Sequence, residues 1–288
     1  MTINVLIVYA LVALGLIGLI FGLLLAMAAR FFAVETNPQV EAVKDILPGA
    51  NCGACGYAGC ASFAEAVVSG EADACGCIPG GQDVAEQIAE VLGQEVCAAV
   101  QPVATVFCIG NKYKTADRFI YDGVQDCAVA SNFVGGFKEC DFGCLGLGNC
   151  VKVCMFDAIK MGDHGLPVVD PEKCTGCGLC ATACPRDIIK MLPQGELGHL
   201  VLCNSHARGK AVSKACEVGC IACKACVKVC PEEAIAMDDN LAVIDLDKCT
   251  DCGKCAEKCP PVTIHRRNAI PSEEQALAAA AEKIAETA

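Results

Sequence analysis

The chain begins with a long apolar stretch. Residues 2–29 contain no charged side chain, and Arg30 is the first one. A helix over this stretch is longer than the roughly 30 Å of hydrocarbon that a spanning helix must cross at about 1.5 Å per residue. It also exceeds the core of a secretory signal peptide and has no Lys or Arg before it, although Ala26–Ala28 resembles a cleavage site. The pattern predicts a membrane anchor at residues 1–30.

Basic residues lie on only one side of this anchor. Arg30 and Lys44 follow it and none precedes it. Because the positive-inside rule keeps such residues in the cytoplasm, we expect a single-pass protein of the cytoplasmic membrane with its soluble domains on the cytoplasmic side. That compartment keeps thiols reduced.

Beyond the anchor, the stretches with a periodic hydrophobic pattern are short. Residues 83–92 place four aliphatic side chains on one helical face before Gly93, which predicts a short helix. The chain has 26 cysteines, no Trp and only 5% aromatic residues, so little conventional core is available. In a reducing compartment this many cysteines indicates soft-metal ligands. We therefore expect the soluble part to fold poorly without metal.

The charge is acidic and unevenly distributed. The net charge of −12 argues against nucleic acid as a partner, because a phosphate backbone would be repelled. Residues 208–267 contain ten Lys and Arg against nine Asp and Glu, which gives +1 there and −13 elsewhere. This segment is the least repulsive surface for an acidic partner.

The soluble part contains an internal duplication. Residues 150–161 and 226–237 both begin Cys-Val-Lys-Val-Cys, and residues 173–185 and 248–260 share Lys-Cys-Thr-x-Cys-Gly-x-Cys-Ala. The offsets are 76 and 75 residues, so one module occurs twice.

Each module follows the bacterial ferredoxin rule C-x2-C-x2-C-x3-C, in which three close thiolates hold one [4Fe-4S] cluster and the fourth reaches its neighbour. The second module is predicted to hold one cluster on Cys220, Cys223, Cys226 and Cys259 and another on Cys249, Cys252, Cys255 and Cys230. The first module is predicted to hold one cluster on Cys174, Cys177, Cys180 and Cys154 and another cluster on Cys140, Cys144, Cys150 and Cys184. That last set departs from the rule, with x3 and x5 spacings and Met155 where Pro is usual.

Zinc and redox-active thiols are the alternatives. Structural zinc usually takes two separated pairs of ligands, and a thioredoxin-like site needs one C-x-x-C pair. Four cysteine runs in a duplicated frame favour iron-sulfur clusters over both.

A further cysteine loop follows the anchor. Cys52, Cys55 and Cys60 are separated by glycines that let the backbone fold closely around inorganic sulfide. Cys75 and Cys77 compete as the fourth ligand, and we favour Cys77, with Cys75 as an unligated thiol.

The loop C-x2-C-G-Y-x-G-C with a later C-x-P-G-G, followed by ferredoxin modules behind one N-terminal helix, resembles the B subunits of Rnf electron-transport complexes, in the longer form of anaerobes. The resemblance covers nearly the whole chain. It implies a component of an ion-translocating ferredoxin:NAD oxidoreductase that accepts electrons from soluble ferredoxin and relays them to other Rnf subunits in the membrane. Neither G-x-G-x-x-G nor a P-loop sequence occurs, so we expect no nucleotide pocket.

The expected fold class is α+β, with a single transmembrane helix, a small α-helical 4Fe-4S domain and two ferredoxin-like (βαβ)2 modules. The expected divisions are an anchor at 1–30, the N-terminal cluster domain at 31–96, a connection at 97–139, the first module at 140–192, a connection at 193–215, the second module at 216–268 and a helical tail at 269–288. Electrons would enter at the second module and leave through the N-terminal cluster.

Several residues remain open at this point. Five clusters are expected, and four further cysteines could form a sixth site or be buried free thiols: Cys108, Cys127, Cys203 and Cys216. Cys97 is interpreted as a packing residue. The four histidines are predicted at the surface: His164, His199, His206 and His265. Alternative functions are a membrane-tethered reductive activase for a corrinoid protein and a scaffold with purely structural clusters.

Overall fold

The computed structural model describes residues 2–31, 37–96, 101–194 and 197–267. Over these residues the protein is a mixed helix and strand fold. Helix α1 (Thr2–Phe31) carries Arg30 in its last turn. Among the described residues it is the one helix long and apolar enough to cross a membrane, with a mean hydropathy of 2.7 over Ile7–Phe31. The tail predicted at 269–288 and Cys97 lie outside the described residues.

A small helical unit follows α1. Its elements are α2 (Pro38–Ile46), α3 (Cys60–Ser69), two single-turn 3-10 helices (Ala74–Gly76 and Ile78–Gly80) and α4 (Gly81–Leu92). Helix α2 begins where the Asn37 side chain accepts a hydrogen bond from the Gln39 N–H, with Pro38 in the first turn.

The core of this unit is conventional. Val43, Phe63, Val67 and Ile88 are fully buried against one another. The predicted helix at residues 83–92 is confirmed and ends at Gly93 in the left-handed conformation. Its buried face differs from the prediction at Val91, which is 39% exposed.

The rest of the described chain repeats one short pattern twice. The first copy contains β1 (Pro102–Val106), α5 (Cys127–Asn132), α6 (Asn149–Lys152), β2 (Ile159–Met161), β3 (Pro167–Val169), α7 (Leu179–Thr182) and β4 (Ile189–Pro193). The second contains β5 (His199–Val201), α8 (Gly209–Ala215), α9 (Ala225–Val229), β6 (Ile235–Asp238), β7 (Leu241–Ile244), α10 (Lys254–Glu257) and β8 (Ile264–Arg266). All strand pairs are antiparallel: β1 with β4, β2 with β3, β5 with β8 and β6 with β7.

Both segments expected as connections contribute a strand. β1 lies within 97–139 and pairs with β4 of the first copy, from Pro102 opposite Pro193 to Val106 opposite Ile189. β5 lies within 193–215 and pairs with β8 in the same way. These segments carry no ferredoxin run, so cysteine spacing alone does not indicate the pairing.

Three of the four short cluster-loop helices begin at a glycine. Gly148, Gly178 and Gly253 precede α6, α7 and α10 with φ of 75–77°. Helix α9 begins instead at Lys224, whose φ is 59°. Glycine adopts this left-handed conformation readily, whereas for a residue with a Cβ it costs roughly 1–2 kcal/mol.

Candidate metal centres

Cysteine thiols of the two repeats surround five cavities. Each cavity has a volume of about 320–370 Å³ and is lined by four cysteines together with mainly apolar side chains. The cysteine sets are 220/223/226/259, 230/249/252/255, 154/174/177/180, 127/144/150/184 and 108/140/203/216. The first three sets are those that the ferredoxin rule groups together.

A sixth group lies in the N-terminal unit. Burial raises the pKa of the Cys77 thiol, and the nearby charges of Cys60, Cys55 and Cys52 raise it further. These four thiols therefore lie near one another. The structure brings Cys77, and not Cys75, into this group. Cys75 is disulfide-bonded, which corrects the expectation of an unligated thiol at this position.

The set predicted as Cys140, Cys144, Cys150 and Cys184 is divided in the fold. Cys144, Cys150 and Cys184 share a cavity, but its fourth cysteine is Cys127. Cys140 lines a different cavity. This grouping corrects the sequence interpretation, in which the x3 and x5 spacings of one run belong to a single enlarged loop.

Hydrogen bonds explain how Cys127 reaches this cavity. Asp126 caps α5 by accepting from the Val129 N–H. Its other carboxylate oxygen accepts from Asn149 Nδ2 at 2.9 Å, and Asn149 Oδ1 accepts from the Cys127 N–H at 2.9 Å. Because Asn149 is the first residue of α6 and precedes Cys150, this network holds Cys127 beside Cys150.

The cavity of Cys108, Cys140, Cys203 and Cys216 joins the two repeats. Its thiols come from four separate segments, and the Thr115 hydroxyl donates to Cys216 Sγ at 3.6 Å. Burial raises the pKa of Cys108 to about 12 and that of Cys203 to about 11. Their neutral form is favoured by desolvation unless a cation compensates the thiolate charge.

Gly110 is required in this joining cavity by close packing. A Cβ at Gly110 would come within 2.5 Å of Thr115 Oγ1 and 3.0 Å of Cys216 Sγ. The backbone thus approaches the thiol more closely than any side chain would permit.

Backbone amides point at several of these sulfur atoms. Cys174 Sγ accepts from the Ala104 N–H at 3.5 Å, and Cys259 Sγ accepts from the Thr263 N–H at 3.4 Å. Cys203 Sγ accepts from the N–H groups of Ser205 and Cys220, both at 3.4 Å. Such donors stabilise negative charge on sulfur and tune the potential of a cluster.

The donor set fits [4Fe-4S] clusters better than single metal ions. Within the described residues, no three Cys, His, Asp or Glu side chains converge as they would around one ion. The thiols instead stand around cavities, four to each, as a cubane requires. All-sulfur ligand sets are typical of zinc or of iron-sulfur clusters. Thiols that stand around a cavity, rather than around one point, favour the clusters.

Electrostatic contacts connect neighbouring groups into a series. The pKa of Cys177 is raised by burial and also by the charge of Cys52 in the N-terminal group. The pKa of Cys180 is raised to about 12, chiefly by burial, with Cys150 of the next group among the contributing charges. The pKa of Cys255 is raised to about 11 by burial first and by Cys226 of the adjoining set to a smaller extent.

The joining cavity completes the series. The Cys144 N–H donates to Cys108 Sγ at 3.5 Å on one side, and the Cys220 N–H donates to Cys203 Sγ at 3.4 Å on the other. The order of the groups is therefore N-terminal, 154/174/177/180, 127/144/150/184, 108/140/203/216, 220/223/226/259 and 230/249/252/255.

One histidine departs from the surface position predicted for it. His199 is 6% exposed and lines the cavity of Cys230, Cys249, Cys252 and Cys255. Its Nδ1 lies 3.0 Å from Asp251 Oδ1, and Asp251 Oδ2 accepts from Arg266 Nε at 2.7 Å. The prediction was wrong because the pairing of β5 with β8, which buries His199, leaves no trace in its local sequence.

Three family models match parts of the chain. They are described as "Putative Fe-S cluster" over residues 47–79, "4Fe-4S binding domain" over residues 167–190 and "4Fe-4S dicluster domain" over residues 219–262. Four of the six cysteine groups have most of their members inside these matches.

Curated relatives match most of the chain. The B subunit of the ion-translocating oxidoreductase complex of Methanosarcina acetivorans is 47% identical over 87% of this chain and 95% of the relative. The B subunit of the Na(+)-translocating ferredoxin:NAD(+) oxidoreductase complex of Acetobacterium woodii is 47% identical over 86% of this chain and 74% of the relative. The B subunit of the proton-translocating ferredoxin:NAD(+) oxidoreductase complex of Clostridium ljungdahlii is 46% identical over 88% of this chain and 90% of the relative. The chain therefore belongs to the family of B subunits of ion-translocating oxidoreductase complexes, and within such a complex it is an iron-sulfur electron-transfer protein.

Proposed function

We propose that this protein carries six [4Fe-4S] clusters, one in each group of four cysteines. The observation that carries the proposal is that the 24 described free cysteines divide into six sets of four without remainder. All twenty cysteines that the sequence assigns as ligands are used, together with Cys108, Cys127, Cys203 and Cys216. The sixth cluster is held by Cys108, Cys140, Cys203 and Cys216. Cys127 replaces Cys140 beside Cys144, Cys150 and Cys184.

The proposed architecture is an anchor, a cluster domain and two ferredoxin-like modules. Helix α1 would anchor the chain by a single pass in the cytoplasmic membrane, with Arg30 and Lys44 holding the rest on the cytoplasmic side. The strand pairings support module limits near 102–193 and 199–266 rather than at the first ferredoxin cysteine.

The proposed activity is relay of electrons from reduced ferredoxin to other subunits of the complex in the membrane. [4Fe-4S] clusters supply one-electron transfer at potentials set by charge, hydrogen bonds and exposure. The names of the relatives from Acetobacterium and Clostridium support ferredoxin as donor and NAD as the final acceptor of the whole complex. The series of cysteine groups supports entry at the second module and exit at the N-terminal group, which follows the anchor in the chain.

Iron and acid-labile sulfide analysis of anaerobically purified full-length protein tests this proposal. Six clusters require about twenty-four of each per chain, and five require about twenty. Zinc in place of iron, or a colourless protein, would refute it.

The fourth ligand of the N-terminal cluster gives a separate prediction. Cys77→Ser should lower the iron content by about four per chain and stop electron delivery to the membrane subunits, because this group lies at the end of the series. Ferredoxin should still reduce the other five clusters. The control is Cys75→Ser, which should keep the full iron content since Cys75 is not a free thiol. The opposite pattern of iron loss would assign the ligand to Cys75.

A further inference from the structure

Two cysteines of the second module reach the protein surface. Among the described free cysteines only Cys223 and Cys252 are exposed, and they belong to two different cysteine groups at one end of the series. An external electron carrier can therefore come closest to the series at these two positions.

Exposed lysines lie on the helices that follow these two cysteines. Helices α9 and α10 follow Cys223 and Cys252 and pack against each other. They and their flanking positions carry four exposed lysines, which we call the lysine face: Lys224, Lys228, Lys254 and Lys258. Glu257 is the exposed acidic residue on these two helices, and Glu232 and Glu233 are exposed just beyond the end of α9. In the part of the chain that the structure describes, no carboxylate lies within ion-pair distance of the four lysines.

The first module provides an internal comparison. At the offsets of 76 and 75 residues, the positions of the lysine face are occupied by Gly148, Lys152, Leu179 and Ala183. The one lysine among them is engaged, since Lys152 Nζ donates to the Gln125 carbonyl at 2.5 Å. The same fold thus forms without a lysine face, so folding does not require these lysines.

Lys224 strengthens this comparison. It occupies a left-handed position, with φ of 59°, where the three equivalent helix starts have glycine. A side chain there costs roughly 1–2 kcal/mol relative to glycine. The lysine is present although glycine would fit the backbone better.

We propose that the lysine face is the docking surface for a small acidic electron-carrier protein. The inference rests on the proposed function and adds the surface and the charge of the partner. With −13 outside residues 208–267, the rest of the chain repels an acidic protein. The lysine face attracts it and brings it to Cys223 and Cys252, because complementary charge steers encounter and orientation.

The test uses full-length protein and a reduced, net-negative two-cluster ferredoxin as the probe, with cluster reduction followed by stopped-flow absorbance. K254E/K258E should slow the second-order reduction about tenfold or more at low ionic strength, and K224E/K228E should do the same. The difference should shrink at about 1 M salt, where the Debye length is roughly 3 Å. The control K112E/K160E makes the same charge change at two exposed lysines of the first repeat and should react like the wild type.

The outcomes separate this inference from the proposed function. The inference would be overturned if K254E/K258E and K224E/K228E, with full iron content, were reduced at the wild-type rate and with the wild-type salt dependence. That result would leave the proposed function intact. Failure of ferredoxin to reduce the wild type would instead refute the proposed function. Binding of the lysine face to anionic lipid vesicles, with unchanged electron uptake in the variants, would assign it to a membrane and overturn the inference.

Discussion

Cys203→Ser is expected to divide the series of cysteine groups into two disconnected parts. Cys203 belongs to the joining cavity, and its Sγ also accepts the N–H of Cys220 in the second module. Loss of this thiolate should remove about four iron atoms per chain. Ferredoxin should then still reduce the two clusters of the second module, whereas those of the first module and the N-terminal unit should stay oxidised. Rapid mixing followed by EPR of samples frozen at successive times measures this division.

Variants on either side of the joining cavity sharpen the experiment. Cys216→Ser removes a proposed ligand that the Thr115 hydroxyl contacts and should give the same division. Cys108→Ser should do so from the side of the first module, where Cys108 accepts the Cys144 N–H. Full reduction of all remaining clusters at the wild-type rate in each variant would show that electrons do not pass through this cavity.

The local part of the cysteine arrangement could be predicted from the sequence. Cys174, Cys177 and Cys180 lie within seven residues, so one tight loop fixes their positions whatever the rest of the fold does. Their partner Cys154 follows from the ferredoxin rule, because a short helix carries it towards the neighbouring cavity. The same rule groups both sets of the second module as the structure does.

The joining cavity could not be assembled from spacing. Cys108 and Cys216 are 108 residues apart, and the bridge between Thr115 and Cys216 that brings their segments together has no sequence motif. Spacing alone therefore assigns Cys140 to the same cysteine run as Cys144 and Cys150. It leaves Cys127 without partner cysteines. The hydrogen-bond network of Asp126 and Asn149, which exists only in the folded chain, is what places Cys127 beside Cys150.

Removal of iron is expected to unfold the two ferredoxin-like modules completely while leaving the N-terminal helices largely folded. The short elements of the second module illustrate why. Its sheets have two strands of three or four residues, and α9 and α10 have five and four residues. Helices and two-stranded sheets of this length are not stable alone in water. Cys226 and Cys255 belong to the buried core itself, so cluster binding is part of the folding free energy.

The N-terminal unit has a different source of stability. Phe63, Val67 and Ile88 pack with Val43 in a core that also includes Cys77, and α2 to α4, with nine to twelve residues, are longer than α9 and α10. Burial of such side chains contributes about 1.5–3 kcal/mol each, independently of metal.

Hydrogen exchange with mass spectrometry after anaerobic chelation can measure this contrast in one sample. Amide protection should be lost across residues 102–266 and retained in α3 and α4, and reconstitution with iron and sulfide should restore it. If the amides of β6 and β7 stayed protected from exchange without iron, the apolar residues of the modules would suffice for folding. Equal loss of protection in α3 and α4 would show that the N-terminal core also depends on its cluster. Retained protection in α3 and α4 would show that Phe63, Val67 and Ile88 hold these helices together without the cluster next to Cys77.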